Sequence, residues 1–494
     1  MNKNIFLLAG LAIAIAFTGC TKGFEDLNTN PNEPSSVSPG FLLTASQKRI
    51  MDEMNDSFWG SRRGMQLPQY WASNQYSNES RYAFRTEVTN ASWRDFYAGP
   101  LQDLQTIVDL NTDSPDDVSG FGSNGNQIAV AKLLQAWTYQ MMTDAWGPIP
   151  MTEALQGGEN KTPAYDDQAT VYAGILTLID DAMNAMDDGP GPQGDQVYGG
   201  NMMMWEKFAN TLKLRVAMRM SDVAPDQAKG VGETALSGGM IIAANEENAQ
   251  FPYINAAPNN HPVNEDYKTR NDFAASNTMV DWLTAMNDPR LGVYFNPAAN
   301  DTTGAFIGEV YGLSEDSAAV TDFDDVSQRG DAILAGDFPG IFFDAAQTHF
   351  LCAEAAERGW ANTPLGDAEA HYNAAVTLSM QWWGLTDADA INAYLAQADV
   401  AYSTAPGDWR QKIGSQKWAA LYMQGHEAWA EYRRLDAPTL NPCAEGALEG
   451  DGDVPSRFYY PLDEQTLNND SWAAGVALLG GPDGQDTKLW WDVN

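Results

Sequence analysis

The side chains of this chain that could carry metal, nucleophilic or acid–base chemistry are four histidines, three cysteines and 66 carboxylates. The histidines are scattered, at His261, His349, His371 and His426, and no CxxC pair occurs. A zinc site, which needs closely spaced nitrogen and sulfur ligands, is therefore not expected. His426-Glu427 lacks the second histidine of a HExxH metalloprotease. No GxSxG elbow offers a nucleophilic serine. Gly120-Phe-Gly-Ser-Asn-Gly125 has the glycine spacing of a dinucleotide loop, but that chemistry requires a strand before it. The preceding Asp113-Ser-Pro-Asp-Asp-Val-Ser119 is an acidic loop, so a plain loop before a helix is expected. Carboxylates are so abundant that a glycosidase acid pair could be drawn almost anywhere, which makes the match uninformative. Asp144 and Glu153 bracket a rigid Trp-Gly-Pro-Ile-Pro turn and could be read as such a pair. Capping of neighbouring backbone N–H groups is the better reading. Acidic loops at 187–195, 322–325 and 451–453 could hold calcium, although none fits the EF-hand pattern. Solvated loops are the simpler reading, and no other cofactor is expected.

The formal net charge is −38, with a pI near 4.2. Phosphate binding needs clustered Lys and Arg, so nucleic acid is a poor partner. An anionic membrane surface would repel such a field. Most of the 16 tryptophans and 19 tyrosines are expected in the core or in helix packing, and the remainder leave room for a flat aromatic binding surface.

Ile5 to Phe17 is an almost wholly apolar run of 13 residues behind Lys3. A bilayer-spanning helix needs about 20, so this run reads as a signal segment. Thr18-Gly19-Cys20 follows at once, and small residues before a cysteine suit a lipoprotein signal peptidase. Cleavage before Cys20 and lipidation there are expected, with residues 20–40, rich in Pro, Asn and Ser, as an extended tether. Cys352 and Cys443 then remain, and their spacing does not decide whether they pair. No later segment is apolar and long enough to span a bilayer.

The elements that must position any site read as helices. Apolar residues recur at three- and four-residue spacing from Phe41, and 58–97 mixes aromatics with arginines before a helix running to about Leu110. Residues 127–142 are apolar on most faces, as in a buried helix. Further helices are expected at 168–186, 202–220, 276–286, 343–359, 366–383, 387–397 and 412–433, with short strands near 239–243, 306–311 and 457–460. Residues 350–375 look like a degenerate tetratricopeptide pair, with Ala356, Ala368, Tyr372 and Ala375 at packing positions. The loop-rich stretches 187–201, 244–275, 296–340 and 436–494 read as excursions over a helical scaffold, where binding residues tend to sit.

Several motifs, in order behind the cysteine, carry a resemblance. They are Phe24-Glu-Asp-Leu-Asn-Thr-Asn-Pro-Asn32, Thr143-Asp-Ala-Trp-Gly-Pro-Ile-Pro150, Pro163-Ala-Tyr-Asp-Asp-Gln168 and Trp205-Glu-Lys-Phe-Ala-Asn-Thr-Leu-Lys-Leu-Arg215. Asn287-Asp-Pro-Arg290, Ala353-Glu354-Ala355, Gln416-Lys-Trp418, Glu431-Tyr-Arg-Arg434 and Pro455-Ser-Arg-Phe-Tyr-Tyr-Pro461 follow. Over nearly the whole mature chain the sequence resembles the SusD/RagB-like nutrient-binding outer-membrane lipoproteins of Bacteroidetes. The resemblance implies a mostly α fold of tetratricopeptide-like helix pairs, with a loop-rich binding region and few short strands. Length alone allows about three domains; the likeness implies one, residues 41–494. It implies a lipid-anchored protein at the outer-membrane surface, acting as lid to a SusC/RagA-like TonB-dependent transporter. It implies capture of glycans, or of peptides in some relatives, without catalysis.

The family's ligand residues vary with substrate, so physics must choose the site. Sugar rings present apolar C–H faces that stack on flat aromatics, while polar side chains read the hydroxyls. The best local mix is Trp59, Trp71, Asn74, Gln75, Tyr76 and Tyr82. A second is Tyr253, Asn264, Asp266, Tyr267, Arg270 and Asn271, close in sequence to Trp282. Core packing is the competing role for each aromatic. Peptide capture, and a surface glycoside hydrolase, stand as alternatives to a glycan-binding lipoprotein.

Overall fold

Four pairs of consecutive, mutually packed helices form the scaffold in a computed structural model that describes residues 37–364 and 366–494. Cys20 and most of the expected tether lie outside the described residues. A first helix, α1 (Pro39–Asn55), leads into a π-helical segment, Ser57–Met65. Next come α2 (Thr86–Phe96) and α3 (Gln102–Asp113). The sequence promised one helix here; Pro100 cannot donate a backbone hydrogen bond, and the chain kinks at Gly99.

The pairs are α4 (Asn124–Trp146) with α5 (Gln168–Ala185), and α6 (Met202–Arg219) with α7 (Pro225–Leu236). After a short α8 (Pro262–Tyr267) and α9 (Asn277–Ala285) come α10 (Ala345–Glu357) with α11 (Ala368–Trp382). Beyond α12 (Ala388–Leu395), α13 (Trp409–Ala420) packs on α14 (Gly425–Leu435). Two short helices, α15 (Leu462–Leu467) and α16 (Asn469–Leu478), end the chain. Start signals are local: the side chains of Ser123, Asp167, Ser276, Asp344, Asp367 and Asp408 each accept a backbone N–H of the helix they open. α4 is buried on every face, as its pattern requires. Pro39–Asn494 forms one compact unit.

The expected helix 412–433 is two helices. Met423 adopts a left-handed φ of 73°, and the chain turns between Leu421 and Gln424. The expected strands are displaced as well. Strands occur at β1 (Trp71–Ser73), β2 (Ala249–Phe251), β3 (Phe273–Ala275), β4 (Phe295–Asn296), β5 (Gln328–Arg329) and β6 (Gly340–Phe343), paired two by two. Of the expected set, 306–311 contributes only a bridge at Glu309, while 239–243 and 457–460 make no strand. Their backbone groups find other partners: the Ile242 N–H donates to Thr211 Oγ1, and the Phe458 N–H donates to the Ala145 carbonyl.

What binds the pairs together is partly ionic. Arg434 on α14 holds Glu354 on α10 through two bonds of 2.6 and 2.5 Å, and Glu431 at 2.6 Å. Lys417 on α13 donates to Glu431 at 2.7 Å. Arg219 on α6 reaches Asp144 at 3.1 Å, Glu427 at 2.7 Å and Glu431. Asp288 and Arg290 form a second buried pair at 2.5 Å, joined by Gln416 and Tyr394. Burying such charges is tolerable because nearly every one meets an opposite charge.

Glu309 is an exception. Among the described residues only Thr321 Oγ1 donates to its carboxylate, at 3.3 Å, and burial pushes its carboxyl up to about 7. A raised carboxyl stabilises the fold fully below its unfolded value, near 4.3, and that contribution is lost as pH rises through 7. Glu309→Gln does not titrate. It should melt at a higher temperature than the parent at pH 8.5, with the gap closing by pH 5. A gap that does not change between the two pH values would refute the assignment.

Candidate functional site

The two sequence-selected regions meet through β1 and β3. These strands pair antiparallel with Trp71 opposite Ala275 and Ser73 opposite Phe273. Asn74 continues the pairing, its N–H donating to the Asp272 carbonyl at 3.1 Å. β-branched and aromatic residues alone would not choose these strands; Trp71 of β1 and Phe273 and Ala275 of β3 are held in the buried cluster beneath them. In that cluster the Trp71 indole donates to the Tyr422 hydroxyl at 2.9 Å, and Tyr294 stacks on Tyr422 at 4.3 Å.

Just past β1 the chain rises to Tyr76, which is 54 % exposed. Its φ is 56°, a conformation uncommon for a tyrosine, and the carboxylate of Glu315 holds it by accepting the N–H groups of Tyr76 and Ser77 at 2.9 and 2.8 Å. Tyr267, the last residue of α8, is 40 % exposed. Arginines link the two rings. Arg270 lies 4.9 Å over the Tyr76 ring. Arg62 lies 5.3 Å from Tyr76 and 5.0 Å from Phe273. Arg329 lies 5.7 Å from Phe273 and 5.3 Å from Tyr267. Asp272 is shared by Arg62 at 2.5 Å and Arg270 at 2.6 Å. Asn271 accepts from Arg329 at 3.0 Å and donates to Gln328. Burial lowers the guanidinium pKa of both Arg62 and Arg329. The Nε of Arg62 and the Nε and Nη1 of Arg329 have no hydrogen-bond partner among the described residues.

The patch therefore offers two exposed tyrosine rings on a cationic support. Gln75 is exposed beside Tyr76. Asn264 is half-buried and spent on Asn260 and the Leu334 carbonyl. The half-buried Asp266 accepts the Arg270 N–H with its carbonyl. Asp272, a buried carboxylate of the patch, is occupied by two guanidinium groups.

Packing claims the other selected aromatics. Trp59 is fully buried, stacked between Trp146 and His426, each 4.6 Å away. Trp71 is fully buried under the patch. Tyr82 is buried beside Cys443, and Tyr253 is buried with its hydroxyl on Asp52. Asn74 is buried as well, and the half-buried Trp282 packs edge-on to Trp418. The rings of Trp59, Trp71, Tyr82 and Tyr253 cannot present a face to a ligand because neighbours from distant parts of the chain already cover them. Arg62, Arg329, Phe273 and Glu315 were not picked from the sequence. The aromatic–arginine texture of 58–97 pointed toward Arg62; Arg329 had no local signal.

The residues weighed for other chemistries have structural partners. A Cβ on Gly125 would lie 2.2 Å from the Ala185 carbonyl, and one on Gly122 2.7 Å from that of Gly191. The loop before α4 is thus packed on residues 185–191 where a phosphate would have to enter. Asp144 is buried and accepts from Tyr172 at 2.5 Å and Trp491 at 2.9 Å, and Glu153 accepts the Ala164 N–H. Asp195 is saturated by Gln47, Trp205 and backbone N–H groups, while Asp322 and Asp451 cap their own turns. Among the described residues no three His, Cys, Asp or Glu side chains gather as metal ligands. Cys352 and Cys443 are both free and buried.

No helix among the described residues is long and apolar enough to cross a membrane. No curated protein matches the sequence. Solved structures do. A chitin-binding protein shares 25 % identity with a TM-score of 0.80, covering 92 % of this chain and 100 % of its own. A SusD homolog from Bacteroides uniformis shares 24 % with a TM-score of 0.78, over 92 % and 100 % of the two chains. A chitin-binding SusD homolog from Flavobacterium johnsoniae shares 24 % with a TM-score of 0.76, over 92 % and 98 %. A family described as starch-binding, associating with outer membrane, matches residues 31–461. With that match spanning most of the sequence, and the helix-pair scaffold beneath it, the chain belongs to the SusD-like family.

Proposed function

We propose that this chain is a non-enzymatic glycan-binding lipoprotein, anchored through Cys20 at the outer-membrane surface. It captures oligosaccharides and passes them to a SusC-like TonB-dependent transporter, for which it serves as lid. The observation that carries the reading is the pair of exposed tyrosine rings, Tyr76 and Tyr267, on their arginine support. The starch-binding description of the family and the chitin-binding relatives support glycan as the ligand class.

Calorimetry against soluble oligosaccharides and a matched peptide panel tests it. Each ring removed, by Tyr76→Ala or Tyr267→Ala, should weaken glycan binding by about 1 kcal/mol, roughly fivefold. The double variant should lose both contributions. Binding of peptides but of no glycan would sink the sugar assignment, and release of new reducing ends would sink the non-enzymatic one.

A further inference from the structure

Two clefts lie on either side of the loop that joins α4 to α5. One, of about 480 Å³, runs between α2, that loop and α15. The other, of about 670 Å³, runs between α3, α4 and the same loop. Gln102, Ala154, Leu155 and Gly157 line both, so the clefts form one groove crossed by a ridge. Neither shares a lining residue with the Tyr76–Tyr267 patch.

The ridge is held at its feet and open at its tip. Asp166 accepts the N–H groups of Met151 and Thr152 at 2.9 and 2.8 Å, and Glu153 accepts that of Ala164 at 3.1 Å. A Cβ added to Gly157 or Gly158 would meet nothing within 4 Å. Between them and the feet, Leu155 takes a left-handed φ of 63°, a strained choice for a branched apolar residue. Strain at such a point accompanies binding surfaces more than bare connections.

The lining chemistry is amide and aromatic. Gln135 donates to Gln105 at 3.1 Å, and Gln105 donates to Asp109 at 2.8 Å, forming a ladder along one wall. The Gln102 carboxamide, at the junction of the clefts, makes no hydrogen bond to a described residue. Tyr97 and Tyr139 meet edge to face at 6.4 Å. The Tyr97 hydroxyl is used by the Pro150 carbonyl, but that of Tyr139, whose residue is 3 % exposed, has no partner among the described residues. Carboxamides both donate and accept, as vicinal hydroxyls do. Arg94 is paired with Asp95, and Asp109, Asp113, Glu159 and Asp463 outnumber Lys161, a lining cation with no ion pair to a described residue. A charged anionic ligand is disfavoured there, at distances within the screening length.

We propose that this groove is a second binding site, for a neutral oligosaccharide lying across the Leu155 ridge, with Gln102 and Tyr139 reading its hydroxyls. The proposal rests on the glycan reading above, and the test separates the two. Full-length protein is titrated calorimetrically with chitohexaose, cellohexaose, maltohexaose and xylohexaose, with thermal melts to confirm folding. For at least one probe the Tyr76→Ala/Tyr267→Ala variant should keep binding at reduced stoichiometry. Adding Gln102→Ala and Tyr139→Phe should weaken that residual binding about tenfold or more. Complete loss of binding in the tyrosine double variant, or residual binding indifferent to Gln102 and Tyr139, overturns the second site while leaving the glycan reading intact. No binding of any probe by the parent protein overturns both.

Discussion

Arg434→Leu should cost about 3–5 kcal/mol of stability, because it leaves buried carboxylates short of their main partner. Arg434 is fully buried and holds Glu354 by two bonds and Glu431 by two more. Lys417, Arg358 and Arg219 remain nearby, but none reproduces the fork that spans α10 and α14. Removing Glu354 as well, in Glu354→Leu/Arg434→Leu, should recover part of the loss, since the desolvation cost of that carboxylate goes with it. Chemical denaturation reads both. A single variant within about 1 kcal/mol of the parent would mean that the network is not the tie between the pairs. The same network sets an acid limit. Burial alone would raise the Glu431 carboxyl; Arg434, Lys417 and Arg219 override it and hold it well below the usual carboxylate range. A depressed carboxyl contributes stability above its unfolded value, near 4.3, and loses it as pH falls through the folded one. Arg434→Leu should therefore narrow the difference in stability between pH 7 and pH 3.

Gly425→Ala should also destabilise, against what helix propensity predicts. Propensity favours alanine over glycine in a helix by up to about 1 kcal/mol. Here a Cβ on Gly425 would lie 2.0 Å from the Gly64 carbonyl oxygen and 2.4 Å from its carbon. Both are backbone atoms, so the two segments must move apart, at a cost of about 1–3 kcal/mol or more. The segment that must yield, Ser57–Met65, carries Arg62 into the tyrosine patch. Urea denaturation should show the loss, and glycan affinity at the patch should fall with it. A variant as stable as the parent would show that the contact is slack. Normal affinity in a destabilised variant would show that the scaffold does not position the patch.

The motifs that marked the family are explained by these contacts. Arg215 and Asp144 join the ionic network, Asp288 and Arg290 pair in the core, and Gln168 bonds to the Thr143 carbonyl. They were legible because buried charges and caps demand particular residue types at particular spacings, whatever the ligand. Helix positions were legible for the same local reason: capping side chains and apolar periodicity lie within one turn of the backbone they govern.

The sequence by itself determined the helical scaffold, the family and the two stretches in which ligand residues were sought. Tertiary structure alone decided where helix 412–433 divides, which extended segments pair, and which aromatics remain open. Trp59 and Tyr76 lie in the same stretch, and both carry flat aromatic rings. Trp146 and His426, brought from far along the chain, close over the first, while Glu315 lifts the second into solvent. Exposure depends on what other segments cover a ring, and strand pairing on which backbone groups remain unclaimed. Neither quantity is a property of the residues nearby in sequence.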